Sequence, residues 1–293
     1  MITLTKRSSE FGEITIVRSR IKGSHIYWQG NWLQSEADRS GVSLATYVHA
    51  IFGLLAQTPA HDMLMIGCGG GTLGTMLVRA GRSVTIVDIN AQSIPLARQY
   101  FALPDIIVCH VEDGASFLAR SPAVFDAIII DAFIDERVPH HLCSTEFFQL
   151  VRERLAPTGC IFINVFLRHG ADLSADMIAC RLAHAGFHVR VLVSPGLVER
   201  NGIVMGGAVA NLRVPTLLMR PEGLAEEIAG ELQEMCFRVV GDLGIGASPV
   251  TARQAPRRCK RHDQYVCGCA QCNAGDASRG PRKRQLTGPF FAN

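Results

Sequence analysis

Nowhere in this chain of 293 residues does an apolar run approach the ~18 residues that a membrane-spanning helix needs. The opening residues, Met1-Ile2-Thr3-Leu4-Thr5-Lys6-Arg7, lead into no apolar stretch of the secretory kind, so no export signal is expected. Charged residues are scarce at 19%, while hydrophobic ones reach 48%, a balance that excludes a disordered chain and describes an ordinary globular one. Internal repeats are absent. The basic clusters lack the interleaved aromatics that would make a nucleic-acid surface, so no such partner is expected.

The length suits one α/β domain with additions, or two small domains. Cysteine is abundant, at ten residues. Cys68, Cys109, Cys143, Cys160, Cys180 and Cys236 are scattered through apolar segments, where single buried thiols are the usual reading, and a reducing cytoplasm fits best. The other four, Cys259, Cys267, Cys269 and Cys272, share the tail with nine Lys and Arg side chains. Residues 253–293 carry +7 of a whole-chain +3, which leaves the body at −4. The Cys-x7-Cys-x-Cys-x2-Cys spacing lacks paired metal knuckles, so a disordered basic extension is expected there, with no metal required. The expected organisation is a β-rich lobe over 1–42, a catalytic domain over 43–215, a helical segment over 216–252 and the tail.

The informative stretch is Gly67-Cys68-Gly69-Gly70-Gly71. Met63 to Ile66 leads into it, the helical spacing of Leu73, Met76, Leu77 and Ala80 leads out, and a second apolar run ends on Asp88. Strand, glycine turn, helix and carboxylate-tipped strand make a nucleoside-binding βαβ unit, in which the acid takes ribose hydroxyls. Strands are expected at 63–66, 84–87, 106–110, 127–130, 160–165 and 188–193. Helices are expected at 71–80, 93–101, 114–120, 145–155 and 174–185. That alternation predicts an α/β, Rossmann-like, doubly wound and mostly parallel sheet. Earlier, 13–17 and 24–28 read as strands, and Ser43 as the N-cap of a helix carrying Leu44, Tyr47, Val48 and Ile51.

Ligands in such sheets bind beyond the carboxyl ends of the strands, and those ends carry Gly67, Asp88, Asp113 and Asp131. Asp131 closes Phe125-Asp126-Ala127-Ile128-Ile129-Ile130, a run suited to a buried strand, where a charge is costly unless it meets ligand or solvent. Glu112-Asp113-Gly114 opens a helix. Asp113 there is either an acceptor for an adenine amino group or an acid favoured by the helix dipole. The shifted register Gly69-x-Gly71-x-x-Gly74 also matches a dinucleotide fingerprint, but the tight turn starts two residues earlier than that register needs. Arg137, His140 and His141 read as loop residues near the site, exposed rather than substrate-bound.

Several blocks resemble the polyamine aminopropyltransferases, the spermidine and spermine synthases. They are Ser9-Glu10-Phe11-Gly12-Glu13-Ile14, Trp32-Leu33-Gln34-Ser35, Tyr47-Val48-His49, Ile66 to Leu73, Val87-Asp88-Ile89-Asn90, Glu112-Asp113-Gly114, Ile129-Ile130-Asp131 and Ser144 to Phe148. The resemblance covers roughly residues 9–215. It implies decarboxylated S-adenosylmethionine as co-substrate, bound through Gln34, Gly67, Gly69, Gly71, Asp88, Glu112, Asp113 and Gly114. It further implies Asp131, Asp135 and Tyr47 as the catalytic set, acting on an amine such as putrescine, and a homodimer by analogy. Two departures stand out. The family's acid in the glycine loop, which binds the donor's propylamine, is Gly70 here, and Asp-x-x-Asp-Pro becomes Asp131-Ala132-Phe133-Ile134-Asp135. Gly70 keeps a methyltransferase using ordinary S-adenosylmethionine open as an alternative. A non-catalytic nucleoside-binding protein is the second alternative.

Overall fold

The computed structural model describes residues 1–134, 136–194, 196 and 198–238. Asp135, the cysteine-bearing tail and the end of the 216–252 segment lie outside the described residues.

The N-terminal lobe is a four-stranded antiparallel meander of β1 (Ile2–Arg7), β2 (Ile14–Arg18), β3 (His25–Gln29) and β4 (Trp32–Ala37). Strand alternation sends Ile14 and Ile16 inward, where they join Tyr27, Ala37, Leu96 and Phe101 in one cluster. Two of these strands were expected; β1 alternates only over Ile2 to Thr5 before Lys6-Arg7, and β4, Trp32-Leu33-Gln34-Ser35-Glu36-Ala37, shows no apolar alternation. Helix α1 (Thr46–Leu55) follows, and Ser43 does not cap it. Ala45 holds the N-cap position, while Ser43 Oγ accepts the Ala45 N–H at 3.1 Å in the turn before the helix.

Five parallel strands come next, in spatial order β7 (Val108–Val111), β6 (Ser83–Asp88), β5 (Asp62–Ile66), β8 (Phe125–Ile130) and β9 (Leu155–His169). Successive residues of the buried strands face opposite sides. Met63 and Met65 meet α1, α2 (Thr72–Arg79) and α7 (Ala225–Glu234), while Leu64 and Ile66 meet α4 (Gly114–Arg120), α5 (Thr145–Glu153) and α6 (Ser174–His184). Both faces are covered, as continuous apolar strand sequences require. Helix α3 (Ser93–Tyr100) carries Ile94 and Ala97 on the main core and Leu96 on the lobe, tying the two together.

The far edge of the sheet departs from the sequence reading. Helix α6 crosses over to β10 (Val189–Val193), but β10 is not adjacent to β9. The next strand, β11 (Val198–Gly207), turns back between them and pairs antiparallel with both. Its Asn201-Gly202 reads locally as a turn, and only pairing on two sides keeps it extended. The segment expected to be helical after residue 215 holds α7 and then a short strand, β12 (Cys236–Arg238), antiparallel to β10.

Candidate active site

A cleft of about 370 Å³ opens beyond the carboxyl ends of β5, β6 and β8, under the N-terminal lobe, within the range of small-molecule sites. Gly67 sets its floor. Its φ is +99°, and a Cβ there would lie 2.2 Å from the Asp131 carbonyl oxygen, so no side chain fits. The strand ends are stitched together around it: the Gly67 N–H donates to Val87 O (2.8 Å), and the Asp131 N–H to Ile66 O (2.9 Å).

Asp88 ends β6 and lines the cleft. Its carboxylate accepts the backbone N–H groups of Cys68 and Asn90, both at 2.7 Å, so it shapes the glycine loop as well as lining the cleft. Burial pushes its pKa up, against those two hydrogen bonds. Asp113 caps α4, accepting the Ser116 N–H at 2.8 Å, and its other oxygen meets His141 Nε2 at 2.7 Å. Burial opposes ionisation of Asp113, but the bonds from Ser116 and His141 outweigh it and hold the pKa low. Gly114 must be small because a Cβ would meet Ile66 Cγ2 at 2.4 Å.

Asp131 is held by Tyr47 Oη (3.3 Å to Oδ2) and by Asn164 Nδ2 (2.8 Å to Oδ1). Burial raises its pKa, and these two donors counter the rise. Tyr47 is itself shifted well upward by burial and by the Asp131 charge, so the phenol stays protonated and donates.

Gln34 and Gly69 line the cleft, while Gly71 takes the N-cap position of α2 behind it. The Glu112 side chain pairs with Arg120 and is not among the lining residues; its N–H supports the Asp88 carbonyl at 3.1 Å. His141 is exposed, as read from sequence, and also lines the cleft: a 3-10 turn at His140–Cys143 carries it onto Asp113. Glu10 and Trp32 reach the cleft from the lobe. Asn164 and Asn201 gave no signal as site residues, although Asn164 is a polar break in the apolar run Cys160 to Leu167. Among the described residues, four carboxylates (Glu10, Asp88, Asp113 and Asp131) line the cleft, and no lysine or arginine does. Among the described residues no cluster of three or more His, Cys, Asp or Glu is suited to a metal, and no helix is long and apolar enough to cross a membrane.

Gly70 faces away from the cleft. A Cβ there would lie 2.8 Å from Phe101 Cδ1 and 3.0 Å from Ser35 Cβ, and Ser35 Oγ accepts the Gly70 N–H at 2.9 Å.

Residues 47–168 match the family model of the spermine/spermidine synthase domain. A probable polyamine aminopropyl transferase of Bifidobacterium longum is 36% identical over 108 residues, which is 36% of this chain and 24% of that protein. An N-terminal histidine N-methyltransferase of Emericella nidulans is 28% identical over 158 residues, covering 48% of this chain and 28% of its own. The chain thus spans about a quarter of the length of these two relatives. In fold, it superposes on a probable spermidine synthase from Corynebacterium glutamicum with a TM-score of 0.66 at 21% identity, covering 86% of this chain and 99% of that one. Residues 47–168 are thus similar to a spermine/spermidine synthase domain, and the mixed sheet with its antiparallel lobe has the fold of the Corynebacterium glutamicum structure.

Proposed function

We propose that this chain is a spermidine synthase-like transferase. It would move an aminopropyl group from decarboxylated S-adenosylmethionine to a small polyamine acceptor such as putrescine. The observation that carries the reading is Asp131, a half-buried strand-end carboxylate in a cleft that, among the described residues, is lined by four acids and no lysine or arginine. Such a field attracts a sulfonium donor and an ammonium acceptor alike. In this reading Asp88 takes the ribose hydroxyls and Asp113 the adenine amino group, with Gly67, Gly69 and Gly114 giving the nucleoside room. Gln34 lies along the donor, and Gly71 sets the start of α2 behind it.

The acceptor amine enters protonated and must be neutral to attack. Its proton passes to Asp131, its lone pair attacks the carbon next to sulfur, and the carbon–sulfur electrons leave with methylthioadenosine. Burial makes Asp131 a better proton acceptor than an exposed carboxylate, and Tyr47 steadies it. Holding amine and sulfonium in line supplies much of the remaining acceleration.

One observation favours a second reading, methyl transfer from ordinary S-adenosylmethionine. Position 70 carries no acid, and Phe101 and Ser35 fill the space that an acid would need. The test is single-turnover transfer with both donors, offering putrescine and spermidine, in wild type and Asp131→Asn. Aminopropyl transfer is expected in wild type, and a loss of ~10²–10⁴ in the variant with donor affinity kept. Near-normal turnover in Asp131→Asn would remove this residue as proton acceptor. Methyl transfer alone would establish the second reading, and no transfer from either donor would remove both.

A further inference from the structure

Asp131, Asn164 and Asn201 form a row across three neighbouring strand positions. In the parallel pair, Ile130 lies beside Ile163, so Asp131 and Asn164 follow in step. In the antiparallel pair, Asn164 opposes Ile203 and Asn201 opposes Phe166, which places the two asparagines diagonally on one face. The row is hydrogen-bonded throughout. Asn201 Nδ2 donates to Asn164 Oδ1 at 2.9 Å, and Asn164 Nδ2 donates to Asp131 Oδ1 at 2.8 Å.

The direction of this chain is forced. An ionised carboxylate only accepts, so Asn164 must turn its NH2 toward Asp131. Its own oxygen then faces β11, where a 1%-exposed amide needs a donor, and Asn201 supplies it. Without that donor the two orientations of Asn164 come closer in energy. The flipped one sets an amide oxygen against the carboxylate, tolerable only when Asp131 carries a proton.

We propose that Asn201, acting through Asn164, is a positioning residue for the transfer step: it keeps Asp131 ionised with Oδ1 occupied and leaves Oδ2 to receive the proton of the acceptor amine. This rests on the transferase reading above. Oδ2 is the lightly held oxygen, with Tyr47 at 3.3 Å. When the ammonium proton arrives there, the Tyr47 hydroxyl rotates from donor to acceptor, and no further proton is needed. The groups around Asp131 permit this. Tyr47 from α1 is protonated, Asn164 and Asn201 from β9 and β11 are neutral, and Ile66 from β5 is apolar. Arg200 lies on the opposite face of β11 by alternation, and Glu10, Asp88, Asp113 and His141 stand elsewhere around the cleft.

Asn201→Asp tests it with almost no change in volume. A carboxylate at 201 accepts from Asn164, flips it, and sets its oxygen against Asp131. In the full-length protein, turnover near neutral pH is expected to fall roughly 100-fold, the size of a general-base loss. The acid limb of the pH profile is expected to move to higher pH, with methylthioadenosine affinity unchanged. Asn201→Gln keeps the NH2 and is expected to restore most of the rate. The Asp131 carboxyl, followed by carbon-13 NMR in wild type and in Asn201→Leu, which removes the donor without adding a charge, is expected to titrate at higher pH in the variant. This titration decides the relay even if wild type transfers nothing, an outcome that would sink only the transferase reading. An unmoved Asp131 titration overturns the proposal. So does a Gln variant as impaired as the Asp variant, or a loss of methylthioadenosine affinity in step with turnover.

Discussion

Gly70→Asp restores the acid that related synthases carry in the glycine loop, and the structure predicts that this chain will not accept it cheaply. The added Cβ would approach Phe101 Cδ1 to 2.8 Å, Ser35 Cβ to 3.0 Å and Phe101 Cγ to 3.1 Å, all inside ordinary carbon–carbon contact. Phe101 cannot swing aside. It is 1% exposed and sits with Tyr27 and His25, ring centroids 6.2 Å away in each case. The φ of Gly70 is not positive, so the cost is overpacking rather than backbone strain, about 1–3 kcal/mol. Phe101→Ala alone opens a cavity at a cost of about 3–5 kcal/mol. In the double variant the new side chain enters that cavity, so its destabilisation should fall short of the sum by about 1–3 kcal/mol. Urea denaturation of the four proteins measures this coupling. Calorimetry with both donors adds a functional check: Gly70→Asp alone should gain no preference for the decarboxylated donor, because position 70 points at Phe101 and not into the cleft. A single variant as stable as wild type, or effects additive within about 0.5 kcal/mol, would refute the contact and the argument built on it.

Asp88→Ala should remove measurable methylthioadenosine binding, and it should also loosen the glycine loop, since the Cys68 and Asn90 N–H groups lose their acceptor. Each charge-assisted bond contributes about 1.5–3 kcal/mol, partly offset by relief of the buried charge, and unchanged calorimetric affinity would end the ribose assignment. Asp172 sits in the turn between β9 and α6. Burial works against its ionisation, but Ser174 and Arg168 bond it and hold its pKa at about 2. Because this pKa is depressed on folding, its stabilisation is present above the unfolded carboxyl value and is lost as pH falls toward about 2. Asp172→Asn should therefore cost about 2 kcal/mol at neutral pH, with the gap to wild type closing under acid in denaturant titrations.

The sequence by itself determined the parallel half of the sheet and three of the acids at its edge. Apolar runs that end in glycine or aspartate have one stable outcome, burial between two helical layers with the polar residue at the open end. Asp88, Asp113 and Asp131 were legible for that reason, and all three line the cleft. The tertiary structure decided what is set by distant pairing. Strand β11 exists because β9 and β10 flank it, against the turn signal of Asn201-Gly202. His141 reaches Asp113 across 28 residues, and Asn201 reaches Asn164 across 37, contacts to which no local pattern points. Gly70 was visible as a departure from the family loop, but its surroundings were not. What the structure adds is that Phe101 lies against position 70, brought over the loop when α3 packs against the N-terminal lobe. Periodicity records which face of an element is buried. Which residue of another element lies against that face is settled only when the layers close.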